Sequence, residues 1–206
     1  MRLRWLGHSC FELTLPGGVL VTDPYDETVG YPPLSVRADA VLCSHGHFDH
    51  NHVQAVSGDP RVFDAPGKFD ACGAAITAVP SFHDDAGGTK RGENLIHRIE
   101  AEGLCLAHLG DLGHFPDTEE QKAALTGLDV MLIPIGGYFT IDTPPAVKII
   151  EAFRPRCAIA MHFQNRYCHF TISDEREFVR LTGAKALPNS VEITSIAPVG
   201  CGVMAL

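Results

Sequence analysis

The chain has 206 residues, 45% of them apolar and 20% charged, with a formal net charge of −9. That length suits one sizeable core, and the composition excludes a disordered or low-complexity chain. The acidic balance lacks the basic stripes that nucleic acid or an anionic membrane surface requires, and no apolar run approaches the roughly 18 residues of a membrane span.

In chain order, residues 2–23 read as a β-meander, with Pro16-Gly17-Gly18 turning the second strand into the third. Residues 25–33 read as a surface loop. Ala40-Val41-Leu42-Cys43 is a buried-looking strand, followed by a helix expected over 49–56 and a short strand at 61–64. Ala74–Pro80 is strand-like, and residues 95–100 and 104–109 pair around Ala101-Glu102-Gly103. Thr118 with Gln121 forms the pattern of a capping box, so a helix is expected over 119–126. After a strand at 129–134, Thr143 is expected to cap a helix that buries Val147, Ile150 and Phe153. A strand at 157–161 precedes a helix capped by Ser173 with Phe178, Val179 and Leu181 facing in, and 192–197 reads as the last strand. Many strands, four or five helices and no linker give an α/β (α+β) class, with one domain over 1–206, two packed sheets and helices outside.

The chemistry concentrates in His45-Gly46-His47-Phe48-Asp49-His50, directly after the strand at 40–43. Residues two apart on a strand share a face, so His45 and His47 can point to one spot, and Asp49 and His50 can fold back over it. Three imidazoles and a carboxylate this close call for a cation. Three further strand-like stretches end in the same residue types, at His83, Asp111 and His162. Imidazole and carboxylate donors without thiolate suit Zn, Mn or Fe.

This set, His-x-His-x-Asp-His followed in order by His83, Asp111 and His162, resembles the metallo-β-lactamase superfamily across the whole chain. Trp5-Leu6-Gly7-His8-Ser9 and Gly110-Asp111 are similar to the branch containing ascorbate-6-phosphate lactonase and many uncharacterised hydrolases, which also resembles phosphodiesterases acting on N-acyl phosphatidylethanolamine. The resemblance implies a four-layer αββα sandwich with the site along one edge. It implies two divalent ions, Zn foremost, with His45, His47 and His83 on one, Asp49, His50 and His162 on the other, and Asp111 bridging. Asp49 and Asp111 would be the catalytic carboxylates, with Asp49 orienting the nucleophile or taking its proton. Two such ions, less two carboxylates and a hydroxide, leave the site about one charge positive, which favours a small anionic substrate.

Outside this set, Lys90, Arg91 and Asn94 on the loop after His83 are candidates to grip a phosphate or carboxylate. His8, His114 and Tyr138 are candidates to line the pocket, His97 reads as a strand's polar face, and His108 has at most an outer supporting role. The expected activity is hydrolysis of an ester, lactone or phosphoester, with a phosphodiesterase on a nucleotide or lipid headgroup as the enzymatic alternative. A metal-binding sensor without turnover is the non-enzymatic one. Seven cysteines, an odd number without Cys-x-x-Cys spacing, argue against a disulfide framework. No apolar leader follows Met1, so a cytoplasmic location is expected. The oligomeric state leaves no sequence signal.

Overall fold

The meander forms as expected: β1 (Arg2–Gly7), β2 (Cys10–Leu15) and β3 (Gly18–Thr22) pair antiparallel in succession. The computed structural model describes residues 1–206. The chain continues through β4 (Val36–Arg37), β5 (Ala40–Leu42), β6 (Val56–Ser57), β7 (Arg61–Phe63) and β8 (Gly67–Ala71). A long hairpin, β9 (Ala74–Phe82) and β10 (Glu93–Ala101), leads into β11 (Leu104–His108). Then α1 (Glu119–Leu125), β12 (Val130–Pro134), α2 (Thr143–Phe153), β13 (Cys157–Met161) and α3 (Arg176–Thr182) alternate before β14 (Lys185–Leu187), β15 (Ser190–Glu192) and β16 (Gly200–Met204).

Two large sheets result. One has six strands in the order β15-β1-β2-β3-β5-β7, the other eight in the order β14-β16-β13-β12-β11-β10-β9-β8, and β4 pairs with β6 apart from both. Leu3, Phe11, Leu13 and Leu20 of the smaller sheet share one core with Ile76, Ile96, Ile99 and Leu106 of the larger. β11, β12 and β13 are buried along their whole length, as parallel strands covered on both faces must be. All three α-helices lie in connections of the larger sheet, and α1 packs on β9 and β10. No helix is long and apolar enough to cross a membrane.

The sheet geometry aligns the site. β3 and β5 are parallel, and β1 runs in their direction because β2 is antiparallel to both β1 and β3. In the larger sheet β11, β12 and β13 are parallel, and β9 runs with them across β10. The C-terminal ends of β1, β3 and β5 therefore share one edge of their sheet, and those of β9, β11 and β13 share one edge of theirs.

Several expectations need correction. The helix over 49–56 is one turn, in which His50 and Asn51 donate to the His47 carbonyl, followed by a 3-10 turn at Val53–Ala55. Its backbone is spent outward instead: Asp26 N–H donates to the Phe48 carbonyl and His52 N–H to that of Pro24. The surface loop at 25–33 buries Tyr25, Val29 and Tyr31. There are three α-helices, not four or five. Helix α2 starts after Asp142, whose side chain makes no cap, and is most buried at Ala146 and Ile149, with Val147, Ile150 and Phe153 flanking that face. Ser173 does not cap α3; its backbone bridges Gln164 and Gly136, and Asp174 Oδ1 accepts from Arg176 N–H instead. Only Phe178 of α3 is fully buried, while Val179 and Leu181 are 39% and 42% exposed. The 192–197 strand is a turn closed by Thr194, and β16 is the last strand.

Candidate metal centre

The six-stranded sheet delivers His8 after β1, Asp23 after β3 and the His45–His50 stretch after β5. The eight-stranded sheet delivers His83 after β9, Asp111 after β11 and His162 after β13. All seven residues expected as ligands converge. The donor atoms of His45, His47 and His83 form one cluster, and those of Asp49, His50 and His162 form a second, which His8 joins.

Asp111 lies between the clusters. Its Oδ2 is 3.1 Å from His83 Nε2 and 3.2 Å from His162 Nε2, and its Oδ1 is 3.2 Å from His50 Nε2. His45 Nε2 is 4.0 Å from Oδ2. Asp49 Oδ2 is 3.4 Å from His50 Nε2 and 3.3 Å from His8 Nε2. Donors bonded at about 2.0–2.1 Å to one tetrahedral ion stand roughly 3.4 Å apart, so most of these separations fit a shared ion. The ring atoms His45 Nε2, His50 Nε2 and His162 Nε2, with Asp111 Oδ1, are buried and lack a hydrogen-bond partner. Buried polar atoms without partners are costly, and here they aim at common points. The donor set fits divalent ions.

Partners behind three of the rings fix which nitrogen each presents. Ser44 Oγ donates to Asp23 Oδ2 at 2.6 Å, so its lone pair is left to accept from His45 Nδ1 at 2.9 Å. His50 Nδ1 donates to Asp23 Oδ2 at 2.8 Å, and His83 Nδ1 donates to the Phe139 carbonyl at 3.0 Å. In all three, Nδ1 is hydrogen-bonded within the protein and Nε2 is the nitrogen turned toward the cluster, the arrangement that orients metal-binding imidazoles. Asp23 and the Phe139 carbonyl were not singled out from the sequence. Asp23 carries the same mark as the ligands, a carboxylate at the end of an apolar strand; a backbone carbonyl carries none.

Close packing and strained backbone hold these ends in place. A Cβ on Gly110 would stand 2.2 Å from Asn94 Oδ1 and 2.5 Å from Ser44 Cβ, so only glycine lets Asp111 come this close to β10. His8, Asp23 and His162 all adopt left-handed φ, at 52°, 40° and 51°. Non-glycine residues persist in that region only when their surroundings over-determine them. The His8 carbonyl, for example, accepts from Trp5 Nε1 at 3.0 Å and from His162 N–H at 3.3 Å.

Charge in the centre is balanced between acids and imidazoles. Burial raises the Asp111 carboxyl, but His162 and His50 outweigh it and hold the group well below the carboxylate range. Burial lowers His50, yet Asp111, Asp49 and Asp23 together push it well above an ordinary imidazole. His45, dominated by burial and then by His50, falls to about 3. His8 falls to about 4 through burial and His162.

The residues expected to bind substrate divide. Asn94 is buried and fully used within the protein: its amide donates to Ser81 Oγ and the Leu109 carbonyl, and its Oδ1 accepts from Asp111 N–H at 2.9 Å. It positions Asp111 and is not available to substrate. His8 has no exposed surface, and its donor atom lies within the cluster of Asp49, His50 and His162. His114 accepts from Phe82 N–H and donates to the Phe115 carbonyl, so neither ring nitrogen is free. Lys90 is exposed and paired with Asp85. Arg91 lines a groove of about 590 Å³ with His45 and His47, and its guanidinium lies over the rings of Tyr138 and Phe139. Tyr138 is 72% exposed. His97 corrects its reading as a polar face, being fully buried with neither ring nitrogen paired. His108 donates to the Ser9 carbonyl and accepts from Gly110 N–H, a supporting role beside Asp111.

Comparison with known proteins agrees with this geometry. The family description "Beta-lactamase superfamily domain" matches residues 2–162. A UPF0173 metal-dependent hydrolase of Opitutus terrae is 31% identical over 200 residues, covering 80% of this chain and 86% of that protein. Its counterpart from Thermococcus onnurineus is 28% identical over 215 residues, covering 90% and 94%. Among solved structures, a candidate Zn-dependent hydrolase of the metallo-β-lactamase superfamily from Thermotoga maritima shares 33% identity, with a TM-score of 0.81 over 98% of this chain and 97% of that one.

Proposed function

The chain belongs to the beta-lactamase superfamily and is a metal-dependent hydrolase; from that premise we propose that it cleaves an ester, lactone or phosphoester bond of a small substrate at a dinuclear centre. His45, His47 and His83 would hold one ion, and Asp49, His50 and His162 the other, with Asp111 shared. Two divalent ions, Zn foremost, would supply a water acidified to near neutrality and an electrophile for the carbonyl or phosphoryl oxygen.

The chain's own residues set the rest. Asp23, Ser44 and the Phe139 carbonyl hold three imidazoles in the tautomer that leaves Nε2 free. Asn94 and His108 fix the backbone that carries Asp111. Asp49, slightly exposed where the imidazoles around it are sealed, is the carboxylate placed to accept a proton, with His8 beside its Oδ2. The observation that carries this reading is Asp111, a single buried carboxylate in contact with His83 of one cluster and His50 and His162 of the other.

The test is metal content and hydrolysis together, on protein purified without chelator. About two ions per chain are expected, and Asp111→Asn is expected to lower metal content and abolish hydrolysis of a generic phosphodiester or lactone. Fewer than one ion per wild-type chain, or activity that survives Asp111→Asn, overturns the proposal.

A further inference from the structure

The loop after His83 is built around a carboxylate that the metal cluster does not use. Asp84 accepts the backbone N–H groups of Ala86, Gly88, Lys90 and Arg91 at 2.8–2.9 Å. The loop is thereby closed on itself, and the Arg91 backbone is fixed beside the groove it shares with His45 and His47.

The Arg91 side chain is then left without an acid. Its neighbour Lys90 is paired with Asp85 at 2.6 Å, but the guanidinium has no ion pair and sits 5.8 Å and 5.9 Å from the Tyr138 and Phe139 ring centroids. In a chain with 25 acidic and 16 basic residues, an unpaired, half-buried arginine is informative. Cation–π contact at this range consumes none of the fork's donors, leaving them for a planar or tetrahedral oxyanion. No other lysine or arginine lines that groove.

Aromatic side chains continue from Arg91 around the mouth of the site. Tyr138 and Phe139 are 4.6 Å apart by centroid, Phe139 and Phe170 5.7 Å, and Phe170 and Phe48 6.3 Å, each pair edge to face. Phe48 is 54% and Tyr138 72% exposed. Phe139 and Phe170 between them are half-buried, so the row offers apolar surface that a ligand can cover. The crescent is tied to the candidate metal centre at two points: Phe48 lies between His47 and Asp49, and the Phe139 carbonyl accepts from His83 Nδ1. What covers the crescent therefore also reaches the reacting bond.

Resting on the hydrolase reading above, we propose that this mouth is a subsite for a substrate carrying one oxyanion, carboxylate or phosphate, on an aromatic or otherwise apolar body. Arg91 binds the anion, and Phe139, Tyr138, Phe170 and Phe48 receive the body. Asp84 is a positioning residue that acts through Arg91.

The first test compares two aryl esters with the same leaving group on the metal-loaded full chain: mono-p-nitrophenyl glutarate, which carries a carboxylate, and neutral p-nitrophenyl pentanoate. Wild type favours the glutarate by kcat/KM. Arg91→Met is expected to lower that preference about 10–100-fold, mainly through KM, with Arg91→Lys recovering part of it. The second test needs no turnover: phenylphosphonate and inorganic phosphate are titrated calorimetrically into the same protein. Wild type binds phenylphosphonate more tightly than phosphate, Arg91→Met weakens both, and Phe170→Ala removes the advantage of the phenyl group. An unchanged ester preference in Arg91→Met, or equal affinity for the two phosphorus ligands in wild type, overturns the subsite. If neither ester is hydrolysed but the titrations behave as described, the ester reading has failed and the subsite has not.

Discussion

Asp23→Asn is the sharpest test of how the centre is assembled. The carboxylate is completely buried, and three donors converge on it: Ser44 N–H at 2.7 Å on Oδ1, with Ser44 Oγ–H at 2.6 Å and His50 Nδ1–H at 2.8 Å on Oδ2. Burial raises the Asp23 carboxyl, but His108 and His50 overcome it and keep the group ionised. Asparagine keeps the shape and replaces one acceptor oxygen with an amide that donates. Either Ser44 N–H or the Ser44–His50 pair must then face another donor. If His50 responds by moving its proton to Nε2, the lone pair aimed at the ion is lost. Disrupting an outer carboxylate of this kind typically costs 10–100-fold in metal affinity, or about 1.4–2.7 kcal/mol. The measurement is competition for Zn against a chromophoric chelator, with circular dichroism of both metal-free proteins as the control for folding. Affinity within about twofold of wild type, in a variant that folds, would refute the view that Asp23 sets the His50 tautomer.

Other substitutions probe the surroundings. Asn94→Ala leaves the Asp111 N–H and the Leu109 carbonyl without partners, and should cost about 1–3 kcal/mol in denaturant unfolding while weakening metal binding. Asp84→Asn should raise KM for the anionic ester with the metal content of wild type, as measured by elemental analysis. Burial, reinforced by His108 against an opposing Asp23, lowers His97 from 6.5 to about 4. An unfolded chain takes up this proton before the folded one does, so stability is lost as pH falls from 6.5 to about 4, by roughly 3 kcal/mol from this residue. His97→Leu should flatten that part of the metal-free pH–stability curve, followed by thermal melts. Leu106→Ala, in the middle of β11, should cost about 2–5 kcal/mol in the same unfolding assay.

That the seven candidate ligand residues converge was legible in the sequence because each lies at or just beyond the end of an apolar strand, and strands carried to one edge of a sheet bring their ends together. Capping chemistry was equally local: Thr118 and Gln121 form the reciprocal bonds their spacing announces. The misreadings share another cause. Alternation suggested an outward face for His97, and Asn94 was read as part of the loop before the strand, but β10 begins at Glu93, lies inside an eight-stranded sheet and is buried on both sides over most of its length. A period-two pattern then no longer separates solvent from core. The 49–56 segment went wrong because its backbone bonds go to residues 24–26, a pairing that no local pattern encodes. Asp84 offered a usable sign, an Asx residue ahead of Gly87-Gly88, but its four backbone partners become visible only in the folded loop.

His8, His45, His47, Asp49 and His50 hang from one sheet, and His83, Asp111 and His162 from the other. An ion held by the ligands proposed above would be gripped from both sides, a clasp between two layers that meet largely through apolar side chains. Its affinity would count toward cohesion of the whole fold, because the unfolded chain offers no such grip. Removing it would do more than stop the chemistry: it would unfasten one edge of the sandwich, where His8, Asp23 and His162 already hold unfavourable backbone angles. In such a molecule a chelator acts as a lever on the seam, and proteolysis along that edge would register the loss of metal even when no substrate is known.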